Sequence, residues 1–498
     1  MVRSQKKKGV CIAVFGTGSD VGKSIIATAL CRYFMKKGLK TVPFKAQNMS
    51  NNSGITPDGL EMGRAQIVQA EAAGIVPTVD MNPVLLKPTS DVGAQVVLLG
   101  KVYENKTASE YHKKKEYLFK VVSESLDMLR EENDVVVIEG AGSCAEVNLM
   151  PHDIVNFRIA EYAEAAVILV ADIHKGGVFG QLVGTLACLP EKYQDMISGF
   201  IVNRFKGDIS LFRDGVDWIE DKTNKKVFGT LPWFEHISIE AEDSVVIERP
   251  SQAISLDNEK PVIGVIRLPH ISNFTDFDPI DSIAGVELLF VEKYCDLSAF
   301  KAIILPGSKN TRYDLKWLFG TGWADEIKKY AAAGGFVTGI CGGYQMLGSD
   351  LHDLQGCEGE PGSSKGLDLL PVETHMESDK TTSLSRFLWD GIDGTGYEIH
   401  MGQTSRKGGR ALFEIINRNQ KDCSIEDGCI ADEPNVIGTY IHGLFDQKGI
   451  LEKWLGFIGL SELALPEVQG LAAREIEYDL LLEHFIKHID TNNLDGLL

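Results

Sequence analysis

Nowhere in the 498 residues do eighteen apolar side chains follow one another, which argues against a membrane-spanning helix. Basic clusters are equally scarce: near the start stands the short run Lys6-Lys7-Lys8, and a formal charge of −20 makes a nucleic-acid backbone a poor partner. That run leads into a short strand and a glycine-rich loop, not into the apolar core of a signal peptide, so it reads as a solvated tail. The nine cysteines lack the even count and spacing of a disulfide framework, and the expected setting is the cytoplasm with reduced thiols. Cys423 and Cys429 have no matching second pair, which argues against zinc there. No repeat of fixed period is visible. With 44% hydrophobic and 24% charged residues, the composition is that of a globular chain too long for a single core.

What is present is an alternation of short apolar runs and helix-like stretches. Val10–Phe15, Asp134–Glu139, Ala166–Ala171 and Gly199–Asn203 have the continuous apolar character of buried parallel strands, and Lys23–Lys37 between them is helical, stopping at Gly38. The rhythm predicts a doubly wound α/β domain over residues 1–250. Around Glu242–Lys260 the chain turns polar and irregular, which marks a boundary. A second set of strands, Pro261–Ile266, Ala302–Leu305, Gly335–Ile340 and Val436–Ile441, predicts another α/β domain over 260–450. Residues 451–498 read as a helical tail ending in Tyr478–Ile489, and Gly356–Gly366 as an exposed loop.

Directly after the first strand comes Gly16-Thr17-Gly18-Ser19-Asp20-Val21-Gly22-Lys23-Ser24. Such a loop lets main-chain N–H groups of Thr17 to Gly22 converge on phosphate oxygens at a helix N-terminus. Lys23 can bridge β- and γ-phosphates, and the Ser24 hydroxyl can ligate Mg²⁺. The usual spacing has glycine where this chain has Thr17, so the loop is a variant. Glu139, ending another strand beside it, is the second candidate magnesium ligand. The loop resembles that of the dethiobiotin-synthetase-like ATPases, which activate a carboxylate or carbamate by phosphorylation. It also resembles that of the partition and septum-positioning ATPases, which act as nucleotide switches.

In the second half, strand Gly335–Ile340 runs into Cys341-Gly342-Gly343-Tyr344-Gln345, a nucleophile in a tight strand-to-helix turn. Leu305-Pro306-Gly307-Ser308 ends another strand in a glycine turn, whose amides, with that of Gly342, could hold an oxyanion. His442, after a further strand, is placed to act as base and then acid. This half resembles the class I glutamine amidotransferases, which release ammonia from glutamine through a cysteinyl thioester. Their usual ending would put glutamate at 444, where this chain has Leu444. By residue type, Glu398 and His400 are then the candidates to orient His442.

Further motifs join the halves: Pro43-Phe44-Lys45-Ala46-Gln47-Asn48-Met49, Glu61-Met62-Gly63-Arg64-Ala65-Gln66, Met81 to Asp91, Glu139-Gly140-Ala141-Gly142-Ser143, Asn203-Arg204-Phe205-Lys206 and Tyr397-Glu398-Ile399-His400-Met401-Gly402. Together, from about Val10 to about Phe445, they closely resemble the cobyric acid synthase family. The resemblance implies amidation of the b, d, e and g carboxylates of adenosylcobyrinic acid a,c-diamide, with ATP, Mg²⁺ and glutamine. Cobalt then arrives inside the substrate, with no protein-bound organic cofactor. Lys45, Gln47, Asn48, Lys87 and Asp172 are the implied substrate contacts, with Arg64 and Arg204 as further cations. The family usually reads Asp-Ile-Asp-Arg-Gly-Gly where this chain has Asp172-Ile173-His174-Lys175-Gly176-Gly177, so bidentate arginine contacts are absent there. The near alternative is a cobyrinic acid a,c-diamide synthase. A switch ATPase has no use for Cys341 and His442.

Overall fold

A computed structural model describes residues 8–90, 93–107, 115–234, 260–433 and 435–498. The expected boundary at Glu242–Lys260 lies outside the described residues except for Lys260, as do Asp91 and the first two lysines of the basic run. Lys8 itself pairs with Asp127 at 2.8 Å.

The first half is built on six parallel strands: β1 (Val10–Gly16), β2 (Thr41–Phe44), β3 (Val135–Glu139), β4 (Ala166–Asp172), β5 (Ile197–Phe205) and β6 (Lys226–Pro232). Their order is β6-β5-β4-β1-β3-β2. The run Val135-Val136-Val137-Ile138 shows why β3 lies inside. β-Branched side chains fit the pleat, and all four are buried on both faces, each stabilising by about 1.5–3 kcal/mol. Helix α1 (Lys23–Lys36) follows β1 and ends where Gly38 takes φ +81°, the left-handed turn expected of it. Because all six strands run the same way, the loops after β1, β3 and β4 gather at one edge of the sheet.

The second half repeats the scheme with β7 (Val262–Ile266), β8 (Glu287–Val291), β9 (Ala302–Leu305), β10 (Phe336–Ile340) and a later strand, Val436–Thr439. The order is β8-β7-β9-β10-(Val436–Thr439), closed by an antiparallel pair of residues, Cys429–Ile430. Two mixed α/β domains with parallel sheets are therefore present, as the apolar runs predict. The domain also carries a second, largely antiparallel sheet that those runs do not announce. Of its long strands, β11 (Val372–Trp389) alternates buried and more exposed residues over much of its length because one face meets solvent, whereas β12 (Ile392–Arg406) is buried throughout Glu398–Gly402. Gly362–Lys365, expected as loop, is an edge strand of this sheet.

The tail is helical; its first turns, through Leu451, Trp454 and Leu455, stay in the second domain's core, but its last helices return to the first domain. In Gly470–His488 and the turn after it, Leu481, Phe485, Ile489 and Leu494 join the core under Leu30 and Phe34 of α1. Arg32 holds Asp479 at 2.7 Å, and Arg474 holds Glu71 at 2.8 Å. Among the described residues, no helix is long and apolar enough to cross a membrane.

Candidate active site

Two sites form at the sheet edges, one in each domain. In the first, Gly22 adopts φ +93°, and a Cβ there would lie 2.2 Å from the Asn203 amide nitrogen, which donates to Val21 O. Only glycine fits that turn. Lys23 donates to the carbonyls of Gly18 and Gly142, both at 3.0 Å, so it spans the loop after β1 and the loop after β3. Register explains the next contact: Val14 lies opposite Glu139, which carries the carboxylate to the mouth of the loop. There Glu139 accepts from Ser24 Oγ at 2.8 Å, from Lys45 Nζ at 2.9 Å and from the Gln69 amide. A hydroxyl and a carboxylate side by side are hard oxygen donors, a set that suits Mg²⁺.

These groups line a cavity of about 800 Å³ whose walls include Ser19, Asp20, Gln47, Asn48 and Arg204, with Trp233 as an aromatic wall. Of the implied substrate contacts, Lys45, Gln47 and Asn48 are thus brought together with the loop. Asp172 lies at the same edge but accepts from Arg204 at 3.0 Å and from the His174 amide at 2.7 Å. Thr17 bonds Gln181 at 3.2 Å. Arg64 borders a separate cleft at the other domain, near Tyr397 and Gly443.

Lys87 is not in the cavity. Buried, it donates to Ser53 Oγ at 2.8 Å and Glu61 Oε1 at 2.7 Å, while Lys380 of β11 reaches across from the second domain to Glu61 Oε2. Burial alone would push the Glu61 carboxyl up. The ammonium groups of Lys380 and Lys87 more than reverse this and hold it well below the usual carboxylate range. Removing one partner of a buried pair typically costs about 3–5 kcal/mol. Lys380→Met is therefore expected to lower stability toward the small end of that range, since Lys87 and Ser53 still satisfy Glu61; a urea midpoint equal to wild type would refute this.

In the second domain Cys341 follows β10, and β10 lies between β9 and Val436–Thr439. That order sets the cysteine between the turn of Gly307 and the loop of His442. Cys341 has φ +51° and ψ −106°, a strained non-glycine backbone at the start of the helix Gly342–Leu347. The glycine turns press close: a Cβ on Gly342 would sit 2.8 Å from Ser308 N, and one on Gly307 3.1 Å from His442 Cε1.

The partner of His442 is one that residue type did not suggest. Its Nδ1–H donates to Asp276 Oδ2 at 2.6 Å, and the other oxygen of Asp276 accepts from Gly443 N at 2.9 Å. Glu398 is engaged elsewhere, by Ser383, Ser385 and Arg418, and His400 bonds Gly402 O at 2.8 Å. Neither orients His442. Tyr397 stacks on the imidazole at 5.3 Å and pairs with its backbone, which fixes the ring plane. Burial works against the charged ring, but the Asp276 carboxylate and the Cys341 sulfur outweigh it and push His442 up to about 10. The arrangement supports a cysteine sulfur and an imidazole that share one proton, held on the ring and aligned by a buried carboxylate, which is the geometry of nucleophilic acyl transfer.

A polar seam links the two sites. The Asp276 segment is clasped by the first domain, with Ser53 N donating to Asn273 Oδ1 at 3.1 Å and Phe274 N to Asn52 Oδ1 at 3.3 Å. Ser53 pairs with Gly63, which abuts Asn48, Gln66 and Asn82, and Gln69 one helical turn on reaches Glu139. Asn52 Nδ2, Gln66 Nε2 and Gln69 Oε1 are buried there without hydrogen-bond partners among the described residues.

Residues 12–246 match the CobQ/CobB/MinD/ParA nucleotide binding domain, and residues 262–450 match the CobB/CobQ-like glutamine amidotransferase domain. Over nearly its whole length the chain is also similar to curated proteins. It is 49% identical to a cobyric acid synthase of Pelodictyon phaeoclathratiforme, covering 97% of this chain and 96% of that one. It is 48% identical to one of Chlorobaculum tepidum, over 97% of both chains. A cobyric acid synthase of Caldanaerobacter subterraneus is 42% identical, over 97% of this chain and 96% of its own.

Proposed function

Because this chain belongs to the cobyric acid synthase family, and is thereby a glutamine-hydrolysing ligase, we propose that it amidates the b, d, e and g carboxylates of adenosylcobyrinic acid a,c-diamide, in the cytoplasm. The observation that carries the reading is the pairing of two unlike sites: a phosphate loop with its carboxylate, and a thiol with His442 and Asp276.

At the thiol site, the Cys341 sulfur attacks the side-chain carbonyl carbon of glutamine, and the amides around Gly342 and Gly307 receive the oxyanion. The imidazolium of His442 gives its proton to the amide nitrogen, the C–N bond breaks and ammonia leaves. Water, deprotonated by His442, then cleaves the thioester to glutamate. At the phosphate loop, a substrate carboxylate oxygen attacks the γ-phosphorus of ATP and ADP departs. Lys23 and the loop amides of Gly18 to Gly22 hold the phosphates in line. Ser24 and Glu139 would hold Mg²⁺, which supplies charge neutralisation on the phosphates when bound. Lys45, Gln47 and Asn48 would face the substrate carboxylate. Ammonia displaces phosphate from the acyl phosphate, giving the amide.

Ammonia released into water at neutral pH becomes ammonium, which has no lone pair to attack with. The seam of Asn52, Gln66 and Gln69 is therefore assigned as its sheltered route, because unpaired amide groups there can hydrogen-bond a small neutral guest. Mass spectrometry of the corrinoid products tests the whole reading. With glutamine and MgATP the diamide is expected to gain four amides, one glutamate and one ADP appearing per amide. A corrinoid left unchanged, with no glutamine consumed, would overturn it.

A further inference from the structure

Distinct in role from both sites, a different cluster lies one strand in from the edge of the second domain's antiparallel sheet. We propose that His352, Glu373 and His375 form a binding site for a divalent transition metal of the zinc class. Strand Asp350–Asp353 runs parallel to β11, and its register sets His352 directly opposite His375. Glu373 precedes His375 by two residues and so shares its face of the sheet.

Both imidazole Nε2 atoms lie 3.1 Å from the same carboxylate oxygen, Glu373 Oε1. The rings stack at 4.6 Å, and the three donor atoms all lie within 4.8 Å of one another. Zinc bonds of about 2.0–2.1 Å in a tetrahedron place neighbouring ligand atoms roughly 3.3 Å apart, close to the spacing present. The surroundings also suit a metal. His352 Nδ1 lies 2.7 Å from Ser363 Oγ, so the hydroxyl can accept Nδ1–H and leave Nε2 with a bare lone pair. Lys407 approaches Glu373 at its other oxygen, Oε2, at 3.3 Å, so Oε1 is left to the histidines. Two imidazoles and one carboxylate are a borderline-soft donor set that favours zinc over magnesium or calcium. His375 is half exposed, so the fourth position opens to water.

The metal would tie Asp350–Asp353 to β11 five residues before Lys380, the residue that reaches Glu61 in the first domain. Equilibrium dialysis of the full chain against Zn²⁺, beside a His352→Ala/His375→Ala variant, is the test. Wild type is expected to hold one more equivalent than the variant, with Co²⁺ substitution giving a visible spectrum free of thiolate charge-transfer absorption. Ser363→Ala is expected to keep the site but weaken it roughly 10-fold. Glutaminase activity and circular dichroism of both variants should match wild type, because none of these residues touches the thiol site. Equal zinc in wild type and the double variant, or a Co²⁺ spectrum dominated by sulfur, would overturn the proposal.

Discussion

Cys341→Ala is expected to abolish glutamine-driven amidation, lowering the rate by roughly 10⁴-fold or more, while amidation driven by added ammonium salt continues near the wild-type rate. The dissociation of the two activities is the informative part. Cys341 sits after β10 in the second domain, whereas Lys23, Ser24 and Glu139 belong to the first, so removing the sulfur leaves phosphoryl transfer untouched. Alanine is smaller and adds no bulk, so the backbone turn at φ +51° has no new contact to resist. The measurement is glutamate release and amide formation in parallel, with glutamine or ammonium as nitrogen source. Loss of both activities would mean that the thiol supports the first domain's chemistry directly, contrary to the two-site account.

The second large effect concerns Asp276. Asp276→Asn preserves shape but removes the carboxylate that holds His442 as an imidazolium, and a loss on the order of 10³–10⁴-fold in glutaminase kcat is expected. The pH dependence carries a distinct signature. In the wild type His442 is raised from 6.5 to about 10, so its ionic contribution to stability is complete below 6.5 and fades as pH climbs through about 10. With asparagine the folded-state value falls, and the alkaline limb of glutaminase kcat/KM moves to lower pH. Ammonia-driven synthesis should keep its profile. An unshifted alkaline limb would show that Asp276 does not set the charge of His442.

Asp276 also shows where reading residues in order reaches its limit. The central strands of both parallel sheets were legible because buried parallel strands must be apolar on both faces, and Val135–Ile138 could hardly be anything else, whereas Thr41–Phe44, Lys226–Pro232 and Glu287–Val291 were not read as strands. Loop motifs such as Gly22-Lys23-Ser24 and Cys341-Gly342-Gly343 were legible because their chemistry depends on neighbours in sequence. The His442 partner lies 166 residues away, in Asn273-Phe274-Thr275-Asp276, where nothing local sets one aspartate apart. The one available signal was Leu444: a missing glutamate requires a carboxylate from elsewhere, and the loop after the first strand of that domain is a place to look. Lys87 gives the opposite lesson. It lies within a family motif, yet its ammonium is committed to Ser53 and to Glu61, whose other oxygen takes Lys380 in a contact that only the meeting of two domains creates. The pairing of β11 with β12 was missed for a similar reason, since each strand is interpretable only once its partner is known.

The return of residues 470–494 to the first domain has a consequence for how the protein is born. A ribosome adding roughly 5–20 residues per second needs some tens of seconds to travel from the end of that domain's sheet to the helix that seals it. Until then the side of that core which Leu481, Phe485 and Ile489 cover is bare, a handle for chaperones. An ATP-spending half therefore matures only on a polypeptide that already carries its own nitrogen supply, and a prematurely terminated product is left as prey for proteases instead of an idle consumer of nucleotide.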